Sequence, residues 1–272
     1  MTWEIEVLYY GKFTAPKGDL TPGFDPDLVL DLPYLGFLLR KDDQQILIDT
    51  GLPDSYIIDG KGWGDLPAEG GREFVERALA KAGVSPENID RVILTHLHHD
   101  HVGNVTLFKN AVFIFQKDDW AALVDPLPFM KARQDYSIDT IDELRAMNCL
   151  KIDGDIELTQ GVRLYKTPGH SPGCLSVAVS TNQGTKVIAG DNWHLQCMAF
   201  SKQDEIIDMY GNKHQITPAP DEYGPFIPSS LIHDYYAYYD SCYKIKALME
   251  FDSPEYLLPG HEPSLVAGRI GQ

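Results

Sequence analysis

The stretch "THLHHDH" at residues 95–101 places four histidines and an aspartate within seven positions. It follows the apolar run "RVIL" and so begins as a strand, which puts His96 and His98, at i and i+2, on one face. Asp100 and His101 come next, where the chain turns toward a helix, and address a second position. Imidazole nitrogens and carboxylate oxygens suit zinc, and two neighbouring ligand sets suit two ions roughly 3.5–4 Å apart. These short-range ligands are too few for two ions, so loops elsewhere must supply the others. His170 in "TPGHSPG", Asp191 in "AGDN" and His261 in "LPGHEP" are the candidates, each beside glycine or proline in the kind of turn that fixes a side chain's direction. For any one histidine a solvated turn is the better explanation. Seven residues in this order outweigh it.

The elements that must position these residues are legible from hydrophobic period. "DRVILTH" reads as a short buried strand that delivers His96 at its C-terminal end. Before it, "WEIEVLYYG", "YLGFLLR" and "QQILID" read as strands, and "GREFVERALAKAG" as a helix with Phe74, Val75, Ala78, Leu79 and Ala82 on one face and Gly83 as its stop. After it come a strand "AVFIFQ" and helices near "KDDWAALV" and "SIDTIDELRAM". Two hairpins are expected next, over "KIDGDIELTQGVRLYKTPGH" and over "LSVAVSTNQGTKVIAGD", the second turning at residues 182–184. The chain closes with a helix near "DYYAYYDSCYKIKALME", where Tyr235, Tyr239 and Tyr243 share a face, and a strand "EYLLPGHE". Strands in blocks with helices between them predict an α+β fold of two sheets covered by helices, as one domain over residues 1–272. Residues 53–71 and 198–230 fit no element, and loops of that length are usually functional or disordered.

Composition narrows the partners. Forty acidic against 23 basic side chains give a formal charge of -17, a field that repels nucleic acid and anionic membrane surfaces. The start lacks a basic and apolar leader, and no run reaches the ~18 apolar residues of a membrane helix, so a cytoplasmic protein without a membrane partner is expected. Cys149, Cys174, Cys197 and Cys242 lie far apart with no C-x-x-C pair, which predicts neither a zinc knuckle nor a disulfide framework.

H-x-H-x-D-H, then G-H, G-D and P-G-H, preceded by "LIDTG" at 47–51, resembles the metallo-β-lactamase superfamily, and the likeness runs from about Tyr34 to Glu262. The resemblance implies an αββα sandwich of two mixed β-sheets flanked by helices, with a dinuclear site at one edge. It implies that His96, His98 and His170 hold one metal, that Asp100, His101 and His261 hold the other, and that Asp191 bridges them. The cofactors would be two zinc ions, although iron, manganese or cobalt suits the same ligands. Asp49 of "LIDTG" is expected behind the ligands, orienting histidines, and His99 is expected as a loop residue without a role. A homodimer is compatible with the resemblance, but no exposed apolar stripe in the sequence demonstrates one.

Two zinc ions sharing a water lower its pKa from ~15.7 toward ~7, which predicts a hydroxide nucleophile at neutral pH and hydrolysis of an electrophilic centre. Among branches of the family, glyoxalase-II-like thioesterases carry a helical extension after the last ligand, whereas this chain stops 11 residues past His261. Diiron relatives place glutamate where His98 stands, and the cysteine-ligand antibiotic-cleaving class places cysteine where Asp191 stands. The sequence is most similar to the N-acyl homoserine lactonase branch. That branch carries a tyrosine about three residues past the bridging aspartate; here the stretch is Asp191, Asn192, Trp193, His194. His194 can take the tyrosine's place as a donor or acid, so Asp100 and His194 are the candidate catalytic residues. Trp193, Phe200 and "DEYGPFIPSS" are candidates for an apolar substrate wall.

The reading is therefore a zinc-dependent hydrolase of a small, neutral or apolar molecule, a lactone first, with an amide, thioester or phosphodiester as alternatives. A phosphodiesterase should show arginine or lysine near the ligands, and "THLHHDHVGN" and "AGDNWHL" hold none. A non-catalytic metal-binding protein is a further rival. So is a serine hydrolase, because "GHSPG" fits G-x-S-x-G and Ser171, Asp191 and His261 follow the chain order of an α/β-hydrolase triad. A nucleophile elbow needs a helix after the serine, however, and Pro172 and Gly173 lead into the strand-like "CLSVAV".

Overall fold

The structure, a computed structural model, describes residues 2–268 of the chain. The first sheet holds β1 (Glu4–Pro16), β2 (Val29–Lys41), β3 (Gln44–Ile48), β4 (Ala68–Glu69), β5 (Arg91–Ile93), β6 (Val112–Gln116) and β7 (Asn148–Ile152), in the order β4-β1-β2-β3-β5-β6-β7. The second holds β8 (Ile156–Thr159), β9 (Val162–Lys166), β10 (Leu175–Thr181), β11 (Gly184–Gly190) and a late strand Leu257–Pro259, which becomes β14 once the small hairpin β12 (Glu205–Ile207) and β13 (Lys213–Gln215) is counted. Both sheets are mixed. β1, β2 and β3 pair antiparallel while β3, β5, β6 and β7 run parallel, and β11 pairs antiparallel with β10 but parallel with β14.

Side-chain alternation builds the layers. Along β2, Leu35, Phe37 and Leu39 enter one buried cluster with Ile46 and Ile48 of β3, and there they meet Val177, Val179 and Ile188 of the second sheet. The alternate residues Tyr34, Leu38 and Leu47 turn to the opposite face, where helices cover them. The helices are α1 (Lys17–Leu20), α2 (Arg72–Lys81), α3 (His99–Val102), α4 (Lys117–Val124), α5 (Pro128–Arg133), α6 (Asp139–Arg145), α7 (Gln196–Ala199) and α8 (Tyr235–Leu248). Val75 and Leu79 of α2 pack on the first sheet. Tyr238, Cys242 and Ile245 of α8 pack with Val187 and Ala189 on the outer face of the second sheet. The result is helix, sheet, sheet, helix, the αββα sandwich expected from the resemblance. Among the described residues no helix is long and apolar enough to cross a membrane.

Several local expectations need correction. Lys151 and Ile152 belong to β7, which extends the first sheet beside β6, so the expected hairpin is confined to β8 and β9. The unassigned stretch at 53–71 contains two short 3-10 turns and β4, and the one at 198–230 contains the β12–β13 hairpin. On α8 the buried tyrosine is Tyr238, whereas Tyr235 and Tyr243 are exposed. Tyr239, the third member of that i, i+4 series, is half-buried against Phe226.

Candidate metal centre

Strand ends put the site together. His96 follows β5, His170 follows β9, Asp191 follows β11 at Gly190, and His261 follows β14 at Pro259. The two sheets are joined here by the Leu175 amide, which donates to the Thr95 carbonyl at 2.8 Å. Asp49 directly follows β3 with φ 61, a left-handed conformation that aspartate tolerates, and Gly51 continues the turn at φ 71. That turn aims the Asp49 carboxylate at the Thr95 amide and hydroxyl, each at 2.8 Å, and at Nδ1 of His101, also at 2.8 Å.

Seven predicted ligands converge. His96, His98 and His170 form one donor set and Asp100, His101, Asp191 and His261 another, with the ligand atoms of each set within 4.8 Å of one another. Oδ2 of Asp191 lies 3.1 Å from Nε2 of His261, 3.4 Å from His101, 3.8 Å from His170 and 4.0 Å from His96, so one carboxylate oxygen faces both sets. Asp100 Oδ2 lies 3.8 Å from His101 Nε2 and 3.6 Å from His261 Nε2.

The far nitrogen of most of these rings is anchored. Nδ1 of His101 meets Asp49, Nδ1 of His170 donates to the Leu231 carbonyl at 2.8 Å, and Nδ1 of His261 donates to the Pro33 carbonyl at 2.9 Å. Such partners fix the tautomer and leave Nε2 free as a ligand. His98 is turned the other way, with Nδ1 3.0 Å from Nε2 of His170. Among the described residues, the buried Nε2 atoms of His96 and His101 have no hydrogen-bond partner. Groups left this way are rare in folded proteins, and a cation between the two sets satisfies them, so the donor set fits divalent metal.

Electrostatics agree. Burial, joined by neighbouring imidazoles, pushes His96 and His98 well below the ordinary histidine range, and burial pushes His170 down as well, so these rings are neutral and keep lone pairs. Burial opposes charge on His101 and His261 too, but the carboxylates of Asp191 and Asp100 outweigh it and raise both. Burial opposes ionisation of Asp191, yet His261, His101 and His194 hold it well below the usual carboxylate range.

His194, an open question in the sequence, is buried and points inward. Its Nε2 is 3.5 Å from Asp191 Oδ2, and its ring stacks on His261 at 5.5 Å between centroids. With His170 and Asp191 it makes a third group of metal-competent donors. Burial lowers its pKa to about 3, Asp191 opposing and His170 and His261 adding to the effect, so it is a neutral imidazole. His99 departs from the reading as a loop residue: it lies buried in α3, stacked on Tyr56.

Asp119 escaped the sequence because "KDDW" looks like an ordinary acidic helix start. Its carboxylate is fully buried and accepts the Leu97 amide at 2.5 Å and the Gly173 amide at 2.8 Å. It thus ties the loop of His96 and His98 to the loop of His170.

The ligands open into a cleft of about 550 Å3 of empty space, whose apolar wall includes Phe13, Leu20, Tyr34, Trp63 and Leu231. The expected wall is different: Trp193 is fully buried against Phe226, and Phe200 packs on the same core. Arg133 also lines the cleft, a cation brought in from a distant segment that the ligand motifs do not show. The serine triad does not assemble, because the Pro33 carbonyl rather than a carboxylate holds His261 Nδ1, and Nε2 faces Asp191 Oδ2 instead of Ser171.

The metallo-beta-lactamase superfamily model matches residues 31–192. The chain is 29% identical over 197 residues to N-acyl homoserine lactonase AiiA of Bacillus thuringiensis subsp. kurstaki, covering 68% of this chain and 74% of that protein. It is 31% identical over 197 residues to an N-acyl homoserine lactonase of Bacillus sp, with the same coverage. Its fold is similar to that of an N-acyl homoserine lactone hydrolase with N-hexanoyl-L-homoserine at its catalytic metal centre, with TM-score 0.73 and 24% identity over 96% of this chain and 94% of that one. It is also similar to the dizinc lactonase AidC, with TM-score 0.66 and 17% identity over 95% and 87% of the two chains. With this fold, this site and a family match over more than half its length, the chain belongs to the metallo-beta-lactamase superfamily of hydrolases.

Proposed function

We propose that the protein opens the ester bond of a small lactone of the N-acyl homoserine lactone kind, with two zinc ions held by His96, His98, His170, Asp100, His101, Asp191 and His261. The observation that carries the reading is the convergence of these donors on one apolar-walled cleft. Bound there, the ions would supply Lewis acidity toward the lactone carbonyl and lower the pKa of water enough to attack it at neutral pH. The protein does the remainder. Phe13, Tyr34 and Leu231 exclude water from the ring and its substituent. Asp100, at the mouth of the donor set, is placed to hold a proton for the leaving oxygen as the ring opens.

His194 faces the same space with a hydrogen. Ser229 Oγ accepts the Leu231 amide at 3.0 Å, so its own hydrogen can reach His194 Nδ1 at 3.4 Å, which leaves Nε2–H as a donor toward a substrate oxygen. His194→Ala should leave zinc content unchanged and lower kcat roughly 100-fold, in the range found for loss of one preorganised hydrogen-bond donor to a developing oxyanion. Metal analysis beside steady-state kinetics checks this, and an unaltered kcat would remove His194 from the reaction.

The function itself is tested by proton release from the zinc-loaded protein with lactones, simple esters, amides and a phosphodiester, against a chelated control. Opening of N-acyl homoserine lactones that chelation abolishes supports the reading. Silence on lactones with turnover of another class replaces the substrate while keeping the metal core, and silence on all of them favours a non-catalytic metal protein.

A further inference from the structure

One wall of the cleft is polar and has no part in the chemistry above. His99 is stacked on Tyr56 with ring centroids 3.6 Å apart and an interplanar angle of 12°. Its Nδ1 lies 3.0 Å from the Asp135 carbonyl, and its backbone amide donates to the same oxygen at 3.1 Å. A carbonyl only accepts, so Nδ1 carries the ring hydrogen and Nε2, which has no hydrogen-bond partner among the described residues, presents a lone pair.

Arg133 is fixed by the same residue. Its Nε lies 2.8 and 3.0 Å from the two Asp135 carboxylate oxygens, and Nη2 donates at 2.6 Å. The guanidinium packs on Phe129 at 4.9 Å, and the Trp63 indole donates to the Arg133 carbonyl at 2.8 Å. Among the described residues Nη1 has no hydrogen-bond partner, so its donors face the cleft unpaired there. His99, Arg133 and Asp135 all line the cleft beside Asp100. One residue therefore holds an acceptor with its backbone and a donor with its side chain.

A donor and an acceptor locked in place suit a group that offers both in return. An amide does, its N–H toward His99 and its C=O toward Arg133. A bare alkyl chain leaves both unpaired, which penalises binding. A carboxylate would meet the negative charges of Asp135 and Asp100 on the same wall. We propose that His99 and Arg133 are specificity-determining residues that read the amide of an acylamino substituent on the lactone ring, a proposal that rests on the lactone reading above.

The test compares N-hexanoyl homoserine lactone with an alkyl γ-lactone of similar length, using zinc-loaded wild type, His99→Phe and Arg133→Lys. Phenylalanine keeps a ring against Tyr56, and lysine keeps an ion-pair partner for Asp135. In each variant kcat/KM for the amide lactone should fall about tenfold more than for the alkyl lactone, mostly through KM, with zinc content unchanged. Equal losses on both lactones in the two variants, or a wild type that does not prefer the amide lactone, would overturn the assignment alone. Failure of the wild type to open either lactone overturns the lactone reading and this proposal with it.

Discussion

Asp191→Ala is expected to lose most of its bound metal and all measurable hydrolysis while remaining folded. The reason is geometric. Its Oδ2 lies within 3.1–4.0 Å of Nε2 on His261, His101, His170 and His96, so one carboxylate oxygen faces both donor sets. With Asp100 it is also one of the carboxylates that outweigh burial at His101 and His261. Loss of an outer-sphere partner of a metal ligand costs roughly 10–100-fold, and loss of the shared ligand should cost more than that. Metal analysis and turnover, with circular dichroism as the folding control, measure the effect. A variant that keeps both its zinc and its rate would remove Asp191 from the bridging position.

Gly260→Ala is expected to disable the centre without touching a ligand. The other Asp191 oxygen, Oδ1, is turned toward Gly260, where an added Cβ would lie 2.0 Å away, with the Gly190 carbonyl at 3.3 Å. The Gly260 amide donates to that carbonyl at 3.0 Å, so the backbone cannot retreat without losing a bond between β11 and β14. The carboxylate must move instead, and Oδ2 moves with it. Overpacking of this kind costs about 1–3 kcal/mol, so thermal unfolding should fall modestly while turnover drops by more than tenfold. Normal kinetics in Gly260→Ala would mean that the position of Asp191 is not critical.

What the sequence exposed and what it hid follow from the range of each signal. The "THLHHDH" cluster and the single candidate donors in glycine turns, which the fold brings together, were legible because a metal site needs particular residue types on short, constrained loops. Two sheets covered by helices were legible from strands that come in blocks with helices between them, and the αββα sandwich from the family resemblance. β7 was not, because its five residues run directly into the β8–β9 hairpin and only its parallel pairing with β6 places it in the first sheet. Asp119 was invisible as well, since its value depends on amides 22 and 54 residues away in sequence. The substrate wall was misread for the same reason. Aromatic residues near the motif, such as Trp193, went into the core, while Phe13, Tyr34 and Trp63 arrived from distant segments. Local sequence names the chemistry, but tertiary contacts decide what surrounds it.

The most direct measurement is zinc back-titration of the chelated protein, following N-acyl homoserine lactone opening by proton release and counting bound metal by elemental analysis. A dinuclear centre should give no turnover in the chelated state, recovery that rises with added zinc, and saturation at two ions per chain. Lactone opening that persists in fully chelated protein, or full activity with one ion bound, would contradict the dinuclear centre built on Asp191.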